Sequence, residues 1–362
     1  MLKQISIFSF RRNFFIAVII LLTSGSGFSQ KDDIYDNYEV YDVHYHITNY
    51  IQEGNSIEKQ LEIMGDKVGR SVLFGIPLQQ MWSYGNSGDD APKYYLDTDA
   101  PLYYYSFGDA YIAMEYLSLS EEDKKRFDPM ITAFNPADMY APAHIKRVLQ
   151  TFPGVFSGIG EFTIHKEFVS SKVAGEVASL LNPALDSIFS LCAETGLVAI
   201  FHNDINKPFP KSYTQNYVKE VIDVFRRHPG ATLIWAHVGL GRIVRPLNDQ
   251  VEIIREMLED PTLSHVYFDI SWDEVAKYIL RNDSTIQGVA DLLNQYPDRF
   301  LFGSDNVASP DQETYLNVYY MYEPLWKKLT PETREKVKKG NYKRLFDDAR
   351  TKVRAWEKAN PK

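Results

Sequence analysis

The sequence predicts a single (β/α)8 barrel, and two patterns carry that prediction. From Tyr41 onward, short segments rich in apolar, β-branched and aromatic residues alternate with amphipathic helical segments. Several of those segments end in His, Glu or Asp, as expected where barrel strands deliver side chains to one catalytic rim. The chain has 362 residues, 44% of them hydrophobic, enough to bury a full core without cross-links.

The expected strands are Val40 to His46, Ser71 to Ile76, Met130 to Phe134 and Val155 to Phe162, followed by Leu197 to His202, Ala231 to His237, Val266 to Ile270 and Phe300 to Asp305. They are apolar throughout, as strands covered on both faces of a parallel sheet must be. Between them, Ile57, Leu61, Met64 and Val68 form one helical stripe, and Val218, Val221, Ile222 and Phe225 form another. Asn182-Pro183 starts a helix that Gly196 closes. Thr330-Pro331 starts a last helix running to about Phe346, which closes the barrel. The excess length falls in one insertion after the second strand, 77–128, with Trp82, Tyr84, Tyr94, Tyr95, Tyr103, Tyr104 and Tyr105. Loops that follow barrel strands lie on the catalytic face, so this segment is expected to act as a lid or substrate wall, with a packed flap as the alternative. The barrel domain is expected over 41–350.

The N-terminus reads as a leader. Arg11 and Arg12 precede an apolar run from Phe14 to Leu22, and small residues follow up to Ser29. That run is shorter than the ~20 residues of a bilayer span. Residues 1–29 are therefore expected to be a cleavable signal peptide, with 30–40 a frayed leader and the mature protein periplasmic or secreted without a stable membrane anchor. Phe10-Arg11-Arg12-Asn13-Phe14-Phe15 loosely resembles a twin-arginine export signal. The net charge of −9 disfavours polyanions, so nucleic acid is not an expected partner. The single cysteine, Cys192, forms no internal disulfide and reads as a buried small hydrophobe.

The chemistry lies in the strand ends. His44 and His46 are two apart on one strand and so face the same way. Asp42 precedes them on that face. Glu161 ends Gly-Ile-Gly-Glu, His202 ends Leu-Val-Ala-Ile-Phe-His, His237 ends Thr-Leu-Ile-Trp-Ala-His, and Asp305 ends Phe-Leu-Phe-Gly-Ser-Asp. A charged or imidazole group at the end of a buried strand is costly without a partner, and a shared metal ion supplies one. By contrast, His265 begins its strand, His228 sits before Pro229-Gly230 at a helix end, and His144 lies on a helix; all three read as structural. His165 follows the fourth strand and fits either role. No Gly-x-Ser-x-Gly elbow, His-Glu-x-x-His helix, phosphate loop or dinucleotide fingerprint occurs.

Asp42-Val43-His44-Tyr45-His46, Ala236-His237-Val238-Gly239, Gly303-Ser304-Asp305 and Gly340-Asn341-Tyr342-Lys343-Arg344-Leu345-Phe346 together resemble the amidohydrolase superfamily. The nearest branch is the amidohydrolase-2 group of metal-dependent hydrolases, and the resemblance spans Tyr41 to Phe346. It implies a barrel with one or two divalent metal ions. His44, His46 and His202 would be ligands, and Asp305 would hold metal and take the proton from attacking water. His237 would be either a ligand of a second metal or a catalytic histidine near the substrate. Glu161 stands where binuclear members carry a bridging carboxylated lysine or glutamate; Lys166, just beyond, is a further candidate for a modified ligand.

Nitrogen and oxygen ligands suit Zn²⁺ best, with Mn²⁺ as the alternative. The expected activity is hydrolysis of an amide, ester or lactone bond of a small molecule, with Asp305, His237 and Glu161 as catalytic groups. His237 would act as a donor to the polarised oxygen, and Asp305 or Glu161 would protonate the leaving group. The alternatives are a non-oxidative decarboxylase and a barrel that binds metal or ligand without turnover. Arg242 could hold an anionic substrate group; Lys166, Trp82, Tyr84 and Trp272 are further candidates for the substrate wall. A homodimer would fit the family resemblance.

Overall fold

The computed structural model describes residues 37–76, 78–104, 107–166, 178–208 and 216–362. The expected signal peptide, most of the leader, and Tyr105 lie outside the described residues. Eight parallel strands form one sheet in chain order: β1 (Val40–Asp42), β2 (Val68–Leu73), β3 (Phe127–Ile131), β4 (Gly158–His165), β5 (Val198–Asn203), β6 (Thr232–Trp235), β7 (Val266–Asp269) and β8 (Phe300–Leu301). The ring is completed beyond the ends of β1 and β8. The Val43 N–H donates to Phe302 O at 3.2 Å, and Tyr45–His46 pairs in parallel with Asn306–Val307. The expected eight-stranded barrel is the observed fold.

Outside the sheet run α1 (Ile57–Met64), α2 (Gly108–Ser118), α3 (Ala141–Thr151), α4 (Pro183–Thr195), α5 (Val218–Arg227), α6 (Gln250–Glu259), α7 (Asp283–Gln295) and α8 (Asn341–Ala359). Their ends follow ordinary capping chemistry. The Ser56 side chain accepts from Lys59 N ahead of α1, and Asn182 accepts from Ala184 N ahead of α4. Gly196 ends α4 at φ 84°. Gly65 ends α1 through its N–H to Leu61 O, so Val68 opens β2 and does not extend the α1 stripe. The last helix runs past Phe346 to Ala359. Among the described residues no helix is long and apolar enough to cross a membrane.

The observed strands depart from expectation where they approach the site. β1 stops at Asp42 because its carboxylate accepts the N–H of His44 at 2.9 Å and that of Ser304 at 2.8 Å, replacing ladder bonds. β6 stops at Trp235, since His237 and Val238 adopt φ values of 59° and 49°. β4 runs on to His165, so Glu161 lies within it and does not end it. The pairing of β4 with β5 shifts register between Ile159 and Phe162, a bulge-like irregularity that re-aims Glu161.

Between β2 and β3, α2 packs Ile112 and Ala113 into the barrel core. Ahead of α2 lies the first part of the 77–128 segment. It contains a short antiparallel ladder, Leu78–Gln80 with Leu102–Tyr104, over a small apolar cluster of Leu78, Tyr95 and Leu102. At the opposite, N-terminal end of the strands, buried Asp128 on β3 accepts from Arg70 Nη2 at 2.8 Å, Arg350 Nε at 2.6 Å and Tyr342 OH at 2.8 Å. This network ties β2, β3 and α8 together.

Candidate metal centre

The six residues expected from the strand ends meet at the C-terminal rim of the sheet. Residues two apart on an extended segment share a face, so His44 and His46 both turn inward. The His44 Nε2 atom lies 3.1 Å from Asp305 Oδ1 and 3.8 Å from Glu161 Oε2. The corresponding distances for His46 Nε2 are 3.3 and 3.5 Å. From β5, His202 Nδ1 reaches Glu161 Oε1 at 2.8 Å. His237 Nε2 lies 3.4 Å from Glu161 Oε1 and 3.9 Å from Asp305 Oδ2. The Phe74 ring packs edge-on against both His44 and His46, at 5.0 and 4.6 Å between centroids. All six of these polar residues are buried apart from Asp305, which is largely covered.

A second layer orients the imidazoles. His44 Nδ1 lies 2.7 Å from Asp269 Oδ2, and His46 Nδ1 lies 3.2 Å from the Gly75 carbonyl. Ser271 Oγ stands 2.7 Å from the same Asp269 oxygen and 2.9 Å from His237 Nδ1. His202 Nε2 faces Asp204 Oδ1 at 2.8 Å. Carboxylates and carbonyls behind histidine ring nitrogens are the usual outer layer of a metal site.

Burial alone would raise the pKa of Asp305, but the charges of His44 and His237 and the facing imidazoles of His44 and His46 hold it well below the usual carboxylate range. Burial likewise opposes ionisation of Glu161; the Lys166 charge, the bond from His202 and the facing rings of His237 and His44 overcome it and leave that pKa well below its ordinary value. Burial would lower His44 and His46, yet the facing carboxylates raise both. His237 is lowered, burial being the largest cause.

These residues fit a divalent cation. Among the described residues, the buried Nε2 atoms of His44 and His237 have no hydrogen-bond partner, a costly state that a cation would relieve. Ligand atoms within 4.8 Å of one another occur in three sets: His44, His237 and Asp305; His44, His46 and Glu161; Glu161, His202 and His237. The sharing of residues among these sets leaves room for one ion or two.

Beside His237 the rim carries rings and cations, where the sequence led one to expect a substrate wall. Trp272 lies 5.1 Å from the His237 ring, with Lys166 Nζ 5.5 Å and the Arg242 guanidinium 5.7 Å from its own. Lys166 Nζ is also 3.6 Å from Glu161 Oε1. Arg242 donates to Tyr94 OH at 2.7 Å, and Tyr94 packs on Tyr50 at 4.9 Å. Burial, with the charges of Tyr94, Glu161 and Asp305, raises the Tyr50 hydroxyl well above its ordinary pKa. Trp82 and Tyr84 are not brought into this wall. Both are exposed, and the Trp82 indole donates to Gly88 O within its own segment.

The other histidines lie elsewhere. His228 Nε2 meets Asp186 at 2.7 Å, His265 Nε2 meets Phe225 O at 3.0 Å, and His165 stacks on Tyr217 at 4.3 Å. Cys192 is buried, which pushes its thiol pKa up.

Sequence reasoning missed Asp269, Ser271, Asp204 and Tyr50. Asp269 closes the apolar run Val-Tyr-Phe-Asp, the same signal that singled out Asp305. Asp204 stands two residues past His202 and could have been found by the spacing that linked His44 to His46. Ser271 and Tyr50 carry no comparable signal.

A family model described as Amidohydrolase (Amidohydro_2) matches residues 114–347. The matched span begins after His44 and His46 and contains Glu161, His202, His237 and Asp305. Among curated proteins, none matches the chain. Solved structures that resemble it include a zinc-bound amidohydrolase from Burkholderia multivorans, 14% identical with a TM-score of 0.52, covering 85% of this chain and 99% of that one. A putative 2-pyrone-4,6-dicarboxylic acid hydrolase from Pseudomonas putida is 11% identical, TM-score 0.50, with coverages of 86% and 98%. A 2,6-dihydroxybenzoate decarboxylase, complexed with 2,6-dihydroxybenzoate, is 13% identical, TM-score 0.50, with coverages of 86% and 98%. At these identities the likeness is one of fold.

Proposed function

Because the chain belongs to the amidohydrolase-2 family and is therefore an enzyme of the amidohydrolase superfamily, we propose that it is a metal-dependent hydrolase cleaving an amide, ester or lactone bond of a small molecule. The observation that carries this reading is Asp305, a largely covered carboxylate 3.1 Å from His44 Nε2 and 3.3 Å from His46 Nε2. His44, His46, His202 and Asp305 would hold one cation, with Glu161 and His237 completing the place of a second. A bound divalent ion, zinc or alternatively manganese, supplies Lewis acidity and can lower the pKa of a coordinated water to about 7.

Asp305 would take a proton from a water in the cup and return it to the leaving group, with Glu161 as the other candidate carboxylate. Trp272, Lys166, Arg242, Tyr94 and Tyr50 would form the wall against which a ring or an anionic group is oriented. The N-terminal pattern of Arg11 and Arg12 followed by Phe14 to Leu22 supports export, and so action in the periplasm or outside the cell.

One observation favours a second reading. Two cationic side chains flank Trp272 beside His237, an arrangement suited to a ring carboxylate, which non-oxidative decarboxylation would consume. The test is turnover by the double variant His44→Ala/His202→Ala against amide, ester and lactone panels. Hydrolysis abolished in a folded variant supports the proposal, and wild-type hydrolysis in that variant refutes it. Carbon dioxide release by the wild type without hydrolysis of any panel member would select the second reading.

A further inference from the structure

We infer that Ser271 and Asp269 act as a relay that sets the tautomer of His237, presenting a bare Nε2 lone pair to the cup. Ser271 is a positioning residue in this account, and Asp269 positions two histidines at once. The inference rests on the metal-centre reading above for its purpose, though not for its geometry.

The argument is a count of hydrogens. Asp269 Oδ2 has two neighbours at 2.7 Å, His44 Nδ1 and Ser271 Oγ. Its other oxygen accepts the Ser271 backbone N–H at 2.6 Å. An ionised carboxylate only accepts, so each short contact needs a hydrogen from the other side. His44 must donate from Nδ1, and Ser271 must spend its one hydroxyl hydrogen on Asp269. Ser271 Oγ also lies 2.9 Å from His237 Nδ1, and it has no second hydrogen to give. That contact is therefore donated by His237, from an N–H at Nδ1. A neutral His237 then carries no hydrogen at Nε2, the atom aimed at Glu161 Oε1 and Asp305 Oδ2.

Two further observations agree with this assignment. His237 Nε2 is buried and makes no hydrogen bond among the described residues, its 3.4 Å approach to Glu161 Oε1 included, so no acceptor there holds a hydrogen on Nε2. The rings of His44 and His237 are neighbours, 4.6 Å between centroids, so one carboxylate behind them can serve both. The bare Nε2 makes His237 a ligand or a proton acceptor in its neutral form. It does not make it a hydrogen-bond donor to substrate, the role expected from the sequence.

The consequence is separable from catalysis. Without the Ser271 hydroxyl, His237 Nδ1–H loses its acceptor, and the Nε2–H tautomer, which an unconstrained histidine side chain favours, becomes preferred. Without Asp269 both His44 and His237 lose their fixed tautomers.

The experiment is ¹⁵N NMR of metal-free protein labelled at histidine, at neutral pH, with the His237 signals assigned from His237→Gln. The expected result is His237 protonated at Nδ1 in the wild type and at Nε2 in Ser271→Ala. Zn²⁺ titration by calorimetry should show affinity weakened roughly 10- to 100-fold in Ser271→Ala, the usual effect of removing an outer-layer partner. A wild-type His237 protonated at Nε2 overturns the relay, even if Ser271→Ala does not fold. An unchanged tautomer in folded Ser271→Ala overturns it too. A wild type that binds no Zn²⁺ yet shows the Nδ1–H tautomer would refute the metal reading and leave the relay standing.

Discussion

Arg242 and Tyr94 meet across the mouth of the barrel: the guanidinium donates to the phenol at 2.7 Å and lies 4.8 Å from its ring. Arg242 follows β6 and Tyr94 belongs to the segment after β2, so this contact draws together loops from separate parts of the ring. Arg242→Ala removes a hydrogen bond and a cation–π contact, and should lower kcat/KM roughly 10- to 30-fold. If Arg242 only orients substrate, steady-state kinetics should place most of the loss in KM. An unchanged KM would remove Arg242 and Tyr94 from the substrate wall.

Glu161 is held among His202, His237, His44, His46 and Lys166. If it bridges metal or moves a proton, Glu161→Gln should lower kcat by about 10²- to 10⁴-fold with the fold intact. Circular dichroism would confirm the fold beside the kinetics. A kcat within a few-fold of wild type would make Glu161 a structural carboxylate.

Asp128 governs stability, at the other end of the strands. Its removal leaves Arg70 buried without that carboxylate, and breaking such a pair costs about 3–5 kcal/mol. Burial opposes its charge, yet Arg350 and Arg70 hold its pKa below the ordinary value. A depressed folded-state pKa gives stability that is present above the unfolded value and lost as pH falls through the folded one. Asp128→Asn should therefore lower the urea midpoint at neutral pH and flatten the acid limb of stability below about pH 4. A variant with the wild-type midpoint would contradict this.

Gly239 completes the turn that carries His237. Its φ is 74°, and a Cβ there would collide with Trp235 Cζ2. The indole cannot readily give way, since its N–H donates to Asn203 O at 2.8 Å. Gly239→Ala should cost about 1–3 kcal/mol and weaken metal binding through displacement of His237. Denaturant midpoints and Zn²⁺ titration would check both effects.

Much of this site was legible because buried strands tolerate His, Glu and Asp only where something compensates them. That rule found His44, His46, His202, His237, Glu161 and Asp305, and it would have found Asp269 had it been applied to β7. Local conformation was less legible. Nothing in Ala236-His237-Val238-Gly239 announces two consecutive left-handed residues outside glycine, and the break at Asp42 depends on Ser304, far along the chain. The inward placement of Lys166 follows from β4 continuing to His165, an extension that the apolar pattern alone does not mark. Trp82 and Tyr84 were singled out as large rings in a long segment, and composition alone could not separate them from Tyr94, which the Arg242 contact brings to the mouth.

The central claim is that these residues hold a catalytic metal. Elemental analysis of gently purified protein beginning at Gln30 tests it most directly. The account predicts one or two zinc or manganese ions per chain, two making Glu161 a bridge and one leaving Glu161 free for proton transfer. Protein with no metal as purified, and none retained after addition of Zn²⁺ or Mn²⁺, would contradict it.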